Sequence, residues 1–269
     1  MNSPEPLAVE VHNLRVEYDG RVVLRDVTLE VRPGEVMVIM GGSGSGKSTL
    51  LRHLLGLELP AFGRIRLLGE DLTALTSMQM LELRKKMGVA FQGGAMLGSL
   101  TVGENIMLPL REHTRLDENT MRIMMRLKLD VVNLSGCEDL MPSQLSGGMI
   151  KRASLARAIV MDPKLVFFDE PSSGLDPVVA AGLDELIIKL NEAGMSMVVV
   201  THMLESAFKI ADRIAVLGEG EMLVCGTIEE VRASKNERVQ ALLNRREKHE
   251  ELPPEEYLKR LTTRPEART

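Results

Sequence analysis

The sequence has no tryptophan, and only 3% of its residues are aromatic. The interior of this 269-residue chain must therefore be filled by aliphatic side chains and by its 18 methionines. Cysteine is scarce too. Cys137 and Cys225 stand far apart and match no metal spacing, which excludes a disulfide framework and a cysteine-rich zinc site. Two structural thiols in a reducing compartment are the expectation. The formal net charge is −5, so the chain lacks the basic excess that broad nucleic-acid binding needs, and no nucleic-acid partner is expected. Apolar runs such as MSMVVV (195–200) and LVFF (165–168) fall far short of the roughly 20 residues of a membrane helix. The opening MNSPEPLAVEV carries no basic-then-apolar leader. A cytoplasmic chain is expected, with a peripheral place at a membrane left open.

What is present is an alternation of strands and helices. AVEVHNLRVEY (8–18) and VTLEV (27–31) alternate apolar and polar residues around turns at Asp19-Gly20 and Pro33-Gly34. EVMVIM (35–40) is a short apolar strand that runs into a glycine loop, followed by helical spacing in STLLRHLLGL (48–57) and a strand in GRIRLLG (63–69). From about residue 93 the character changes to helices, at 101–113 and 118–132, the latter rich in Met. The strand–helix alternation then resumes: helix 148–160, strand KLVFFDE, helix 178–193, strand MSMVVVTH, helix 203–211, and two short strands within 213–226. Buried strands alternating with helices predict an α/β fold with a mostly parallel sheet covered on both faces. The last ~40 residues mix both charge signs around Pro253-Pro254, and helices that pack late or on a partner are expected there.

The glycine loop is GGSGSGKST, Gly41, Gly42, Ser43, Gly44, Ser45, Gly46, Lys47, Ser48 and Thr49. It satisfies G-x-x-x-x-G-K-[ST] between a strand and a helix, the context that makes the motif specific for nucleotide phosphates. Small residues let backbone N–H groups curl around phosphates at a helix N-terminus. Lys47 is expected to reach the β- and γ-phosphates and Ser48 to hold Mg²⁺. LVFFDE ends a buried strand in two carboxylates. Alone, that could be a strand end entering solvent; beside the phosphate loop, Asp169 reads as a Mg²⁺ partner and Glu170 as the base or water-positioning group. His202 ends another core strand and could face the γ-phosphate or be structural. Gln92 could ligate Mg²⁺ or its water, and Tyr18 could stack on adenine or simply pack.

A second glycine turn, LSGGM (145–149), also opens a helix but has no lysine within the turn. With Tyr18, the loop 41–49, Gln92, LVFFDE, SGLD (173–176) and His202, it resembles the ATP-binding subunit of ABC transporters over roughly residues 8–230. The resemblance implies a P-loop NTPase with a RecA-like core, an antiparallel β subdomain and a helical subdomain at about 93–160. Residues 231–269 are then a C-terminal extension, expected either as a solvated face or as a subunit contact. The resemblance also explains the second turn. Two subunits meet head to tail as a homodimer, and Ser146, Gly147 and Gly148 of one grip the ATP held by the other's phosphate loop. Tyr18 is then the adenine-stacking residue, Gln92 the link between Mg²⁺ and the helical insert, Glu170 the catalytic carboxylate, His202 the γ-phosphate sensor and Asp176 an interface residue. One position departs from the pattern: Met149 stands where the signature usually has Gln. Hydrolytic activity is nonetheless expected, because the rest of the set is present.

FQGGAMLGSLTVGENIMLPLREHT (91–114) and LMPSQLSGGMIKRASLARAI (140–159) are very similar to the ATPases of Mla-type, MCE-associated lipid transporters. That subgroup implies a separate integral membrane permease, an MCE-domain protein, often a small STAS-domain regulator, and a peripheral position on the cytoplasmic face of the inner membrane. Met96, Leu97, Leu100, Ile106, Met107 and Leu108 could line a groove for a permease helix or form the insert's own core; Met121, Met124, Met125 and Leu129 read as core. The alternatives are the ATPase of an amino-acid importer or lipoprotein-release system and, more distantly, a non-transport ABC ATPase acting on nucleic acid or ribosomes.

Overall fold

The computed structural model describes residues 6–244. The chain starts with a hairpin of β1 (Val9–Tyr18) and β2 (Arg21–Val31). Its turn residues Asp19 and Gly20 sit at φ 50° and 78°, the left-handed pair that a two-residue hairpin requires and that Asp-Gly supplies. The fully buried strand β3 (Val36–Gly41) feeds the glycine loop and α1 (Lys47–Leu54). The short strands β4 (Phe62–Leu67) and β5 (Glu70–Asp71) return to complete an antiparallel sheet in the order β2-β1-β4-β5.

Next come α2 (Ser77–Arg84), β6 (Met87–Ala90), α3 (Val102–His113), α4 (Glu118–Val131), a 3-10 turn (Pro142–Gln144) and α5 (Gly147–Ala158). Then follow β7 (Leu165–Asp169), α6 (Pro177–Glu192), β8 (Ser196–Val200), α7 (Leu204–Ile210), β9 (Arg213–Gly218), β10 (Glu221–Gly226), α8 (Ile228–Arg232) and α9 (Glu237–Leu243). The second sheet has the order β10-β9-β3-β8-β7-β6. Its strands are parallel except for the antiparallel edge β10. The predicted mostly parallel α/β core is present.

This parallel sheet is the wall between two cores. Val36, Val38, Met40, Val166, Phe168, Met197 and Val199 face the helices α3 to α6. Met37, Ile39, Leu165, Phe167, Val198 and Val200 face α1 and the antiparallel sheet. Alternation along each strand divides the residues, and burial on both faces explains their continuous apolar sequence. The helical insert has no separate core: Val102, Ile106, Leu110, Met121, Met125 and Leu129 join the cluster on the sheet's first face. Ile106 and Met107, considered for a docking groove, are buried; Leu97 is exposed. The core reading of Met121, Met125 and Leu129 holds, with Met124 packed at the edge of the same cluster.

Helix α2 has no counterpart among the elements read from the sequence. Thr76 caps it, with Gln79 answering in a capping box. Part of the segment 231–269 packs on the core, since Val231 and Val239 are fully buried. The helices expected beyond residue 244 lie outside the described residues.

Candidate functional site

Four neighbouring parallel strands, β3, β8, β7 and β6, end at the same edge of the sheet. Their carboxyl ends deliver, in that order, the loop 41–46, His202, the pair Asp169-Glu170, and Gln92. Ligands of open α/β sheets bind outside such carboxyl ends. The sheet order therefore gathers residues spread over more than half the sequence.

The loop is a cradle built for glycine. A Cβ on Gly41 would overlap the Leu217 carbonyl, and one on Gly46 would lie 2.5 Å from Leu24 Cδ2. Gly46 is the N-cap of α1 at φ 100°, and no side chain caps the helix. A helix N-terminus without a side-chain cap suits an anion, because its first N–H groups lack intrahelical partners. Lys47 lies across the loop, its Nζ donating to the carbonyls of Gly41 (2.8 Å) and Gly42 (2.9 Å). Behind the loop, the Ser45 carbonyl accepts from Gly220 N, so the cradle is braced against the β9–β10 turn.

Glu170 leaves β7 at φ 49°, a left-handed state that costs a non-glycine residue roughly 1–2 kcal/mol. Its amide still donates to Val200 O at 2.8 Å, which fixes it to β8. The carboxylate is held from the same strand end: His202 Nδ1 lies 2.8 Å from Oε1, and Thr201 Oγ1 donates to Oε2 at 3.3 Å. Glu170 is buried while His202 is exposed, so the pair links the interior to the open edge. Burial, and then the neighbouring Glu170, push the Asp169 carboxyl above the usual aspartate range, while Lys151 and Lys47 pull it back. A cation beside Asp169 would offset the same burial. Ser48 and Gln92 are both exposed. Hydroxyl, amide oxygen and carboxylate are the hard donors Mg²⁺ takes together with waters and phosphate oxygens. Among the described residues no group of three His, Cys, Asp or Glu side chains forms a metal cage. The donor set fits a cation that arrives with its nucleotide.

Tyr18 ends β1 and is 43% exposed. Its hydroxyl donates to Glu58, which Arg52 also binds at 2.8 Å. That hydrogen bond is the main reason the phenol pKa is raised. Nothing in the sequence pairs Tyr18 with Glu58, forty residues away.

The second glycine turn stands apart. α1 packs on β2, β3 and β4, whereas α5 packs on α3, α4, α6 and β6. Ser146 Oγ caps α5 by accepting from Met149 N at 3.3 Å. A Cβ on Gly148 would lie 2.6 Å from Val179 Cγ1, so a larger residue there would have to displace Val179. Asp176 caps α6 through Val178 N and Val179 N, both at 3.1 Å. The sequence reading missed Lys151, whose ammonium binds the carbonyls of both Gln92 and Glu170. A Lys-Arg pair on a helix carries no signal for which side chain turns inward.

Residues 24–173 match the family model described as ABC transporter. The chain is 41% identical over 232 residues to the intermembrane phospholipid transport system ATP-binding protein MlaF of Haemophilus influenzae, covering 86% of this chain and 88% of that one. It is 39% identical over 244 residues to the probable ribonucleotide transport ATP-binding protein mkl of Mycobacterium leprae, covering 90% of this chain and 70% of that one. Among solved structures, the dimeric post-hydrolysis state of the ATP-binding cassette MJ0796 bound to ADP and Pi superposes with a TM-score of 0.75 at 30% identity, over 82% of this chain and 98% of that one. The chain belongs to the ABC transporter family and is an ATP-binding, ATP-hydrolysing subunit of it.

Proposed function

We propose that the chain powers phospholipid movement between the inner and outer membranes, as one of two copies working with a separate permease and an MCE-domain protein. The observation that carries this reading is the 41% identity to MlaF over most of both chains. The name of the mycobacterial relative points to ribonucleotides. The lipid reading is preferred because the 91–114 and 140–159 segments are those that resemble lipid-transporter ATPases. No helix among the described residues is long and apolar enough to cross a membrane. The working position is then the cytoplasmic face of the inner membrane. A STAS-domain regulator fits the same assembly.

In this reading residues 8–230 act as the ATPase unit, with 93–160 as its helical part and 231–269 as an extension for subunit contacts. Tyr18 stacks on adenine, and residues 41–49 wrap the phosphates. Ser48, Gln92 and Asp169 hold Mg²⁺, whose charge would offset that of the phosphates. Glu170 orients and deprotonates the attacking water, and His202 senses the γ-phosphate. Ser146, Gly147 and Gly148 complete the ATP site of the partner copy, because a turn without its own lysine supplies donors but not a full site.

The test is capture of tagged Glu170→Gln chain, with ATP, from detergent-solubilised native membranes, followed by protein and lipid mass spectrometry. Co-purification of a multi-span permease, an MCE-domain protein and phospholipid is expected. A permease with a solute-binding protein and no MCE-domain protein would overturn the lipid reading and leave the ATPase assignment standing.

A further inference from the structure

Helix α5 reaches three parts of the site. Its first turn, Ser146–Gly148, presents the second glycine turn. Lys151, one turn on, donates through Nζ to the Glu170 carbonyl at 3.0 Å and to the Gln92 carbonyl. Those carbonyls lie just past the ends of β7 and β6, which pair in parallel with Ala90 opposite Phe168. Farther along the helix, Arg157 donates to Gly94 O at 2.8 Å and Ala95 O at 2.7 Å. Stretch 92–95 is thus held at both ends by one helix. It is also packed closely between them, since a Cβ on Gly94 would lie 2.6 Å from Ile150 Cγ2.

Glu170 (φ 49°) and Ala95 (φ 46°), both held by this helix, are left-handed non-glycine residues. A left-handed non-glycine residue persists only where its surroundings fix it. Val200 O fixes the Glu170 amide, and Lys151 at 3.0 Å, with the Ser173 amide at 3.3 Å, fixes the carbonyl. An ammonium suits this place because it has three donors and needs no acceptor. Burial lowers the Lys151 pKa, while the charges of Asp169 and Glu170 favour its protonated form.

We propose that Lys151 is a positioning residue for ATP hydrolysis, clamping the backbones of Glu170 and Gln92 to the signature helix so that all three keep one geometry. The proposal rests on the roles given above to Glu170 and Gln92. A misplacement of about 1 Å at a reacting group costs on the order of 10²-fold in rate. The phosphate loop holds ATP without Lys151, so the defect belongs in kcat and not in KM.

The experiment is steady-state ATPase kinetics on the full chain, comparing the parent with Lys151→Met, Lys151→Arg and Glu170→Gln. Methionine keeps the side-chain length and removes every donor. We expect Lys151→Met to lower kcat about 10- to 100-fold with KM for ATP within about twofold, and Lys151→Arg to retain most of the rate. A Lys151→Met kcat within about twofold of the parent would overturn the clamp. So would a KM that rises in step with the loss, or an Arg variant as slow as the Met variant. If Lys151→Met does not fold, Lys151→Leu, which also lacks donors, is judged by the same criteria. A Glu170→Gln variant turning over at the parental rate would instead remove the role of Glu170 itself, and the clamp with it.

Discussion

Gly46 and Ser146 each precede a helix in a glycine-rich turn, yet they close it differently. Gly46 adopts φ 100° and leaves α1 without a side-chain cap, while Ser146 caps α5 with its own hydroxyl. The first turn has Lys47 folded over it. The nearest lysine of the second, Lys151, turns inward to its own chain. One turn can cradle a phosphate by itself, and in the proposed reading the other adds donors to an anion held by a second copy. In that reading two copies would combine their turns into two complete sites.

This contrast breaks first at the chemistry. If the first turn is complete for binding, removing the base must spare affinity and abolish turnover. Glu170→Gln is expected to bind ATP like the parent and hydrolyse it 10²- to 10⁴-fold more slowly, as loss of a positioned base does. Equilibrium binding of labelled ATP beside single-turnover kinetics checks it; parental turnover, or a matching loss of affinity, would dissolve the distinction between cradle and chemistry.

The second break concerns which chain the second turn serves. Lys47→Ala and Ser146→Arg can be placed in one protomer of a mixed dimer or split between the two. If the turn acts on the partner's ATP, splitting the lesions puts both in one composite site and leaves the other intact. Placing both in one chain damages both sites. The split dimer should then hydrolyse ATP faster by at least about tenfold, since loss of a single charge-stabilising donor costs about 10²-fold. The opposite ranking would show that each turn serves its own chain.

Much of this was readable in the sequence because it rests on local chemistry. The Asp19-Gly20 turn, the apolar strand before Gly41 and the loop itself are short-range patterns, and the structure has them where their spacing puts them. Core strands ending in Asp169-Glu170 and in Thr201-His202 announced polar groups at a sheet edge. What adjacency they would have was not readable, since it depends on strand order: β7 lies beside β8, so Glu170 meets His202 across 32 residues of sequence. The same holds for Tyr18 with Glu58 and for Lys151 with two carbonyls. Helix α2 was missed although Thr76 and Gln79 signalled it, because its exposed Met78 and Leu81 blur the apolar stripe.

Tyr18 sharpens the contrast on the binding side. Base stacking on an aromatic ring contributes on the order of 1–3 kcal/mol, so Tyr18→Ala is expected to raise KM for ATP about 5- to 160-fold with kcat nearly unchanged. Tyr18→Phe keeps the ring and loses only the hydrogen bond to Glu58, and should stay within a few-fold of the parent. A phenylalanine variant as weak as the alanine variant would assign the effect to the Glu58 contact instead of the stack.

The smallest effect is expected at Met149, where the second turn departs from the usual glutamine. A thioether cannot donate a hydrogen bond, so in the proposed head-to-tail arrangement the turn would offer the partner's nucleotide only backbone donors and the Ser146 hydroxyl. Met149→Gln adds one side-chain donor, worth about 1 kcal/mol net, and KM should fall about two- to fivefold with kcat within twofold. The gain is limited because Met149 is half-buried against the apolar core, and a polar amide there gives up packing. A slightly lower melting temperature should accompany the lower KM. A kcat that rose tenfold would mean that the side chain at this position takes part in the hydrolytic step, and that the second turn does more than hold an anion bound elsewhere.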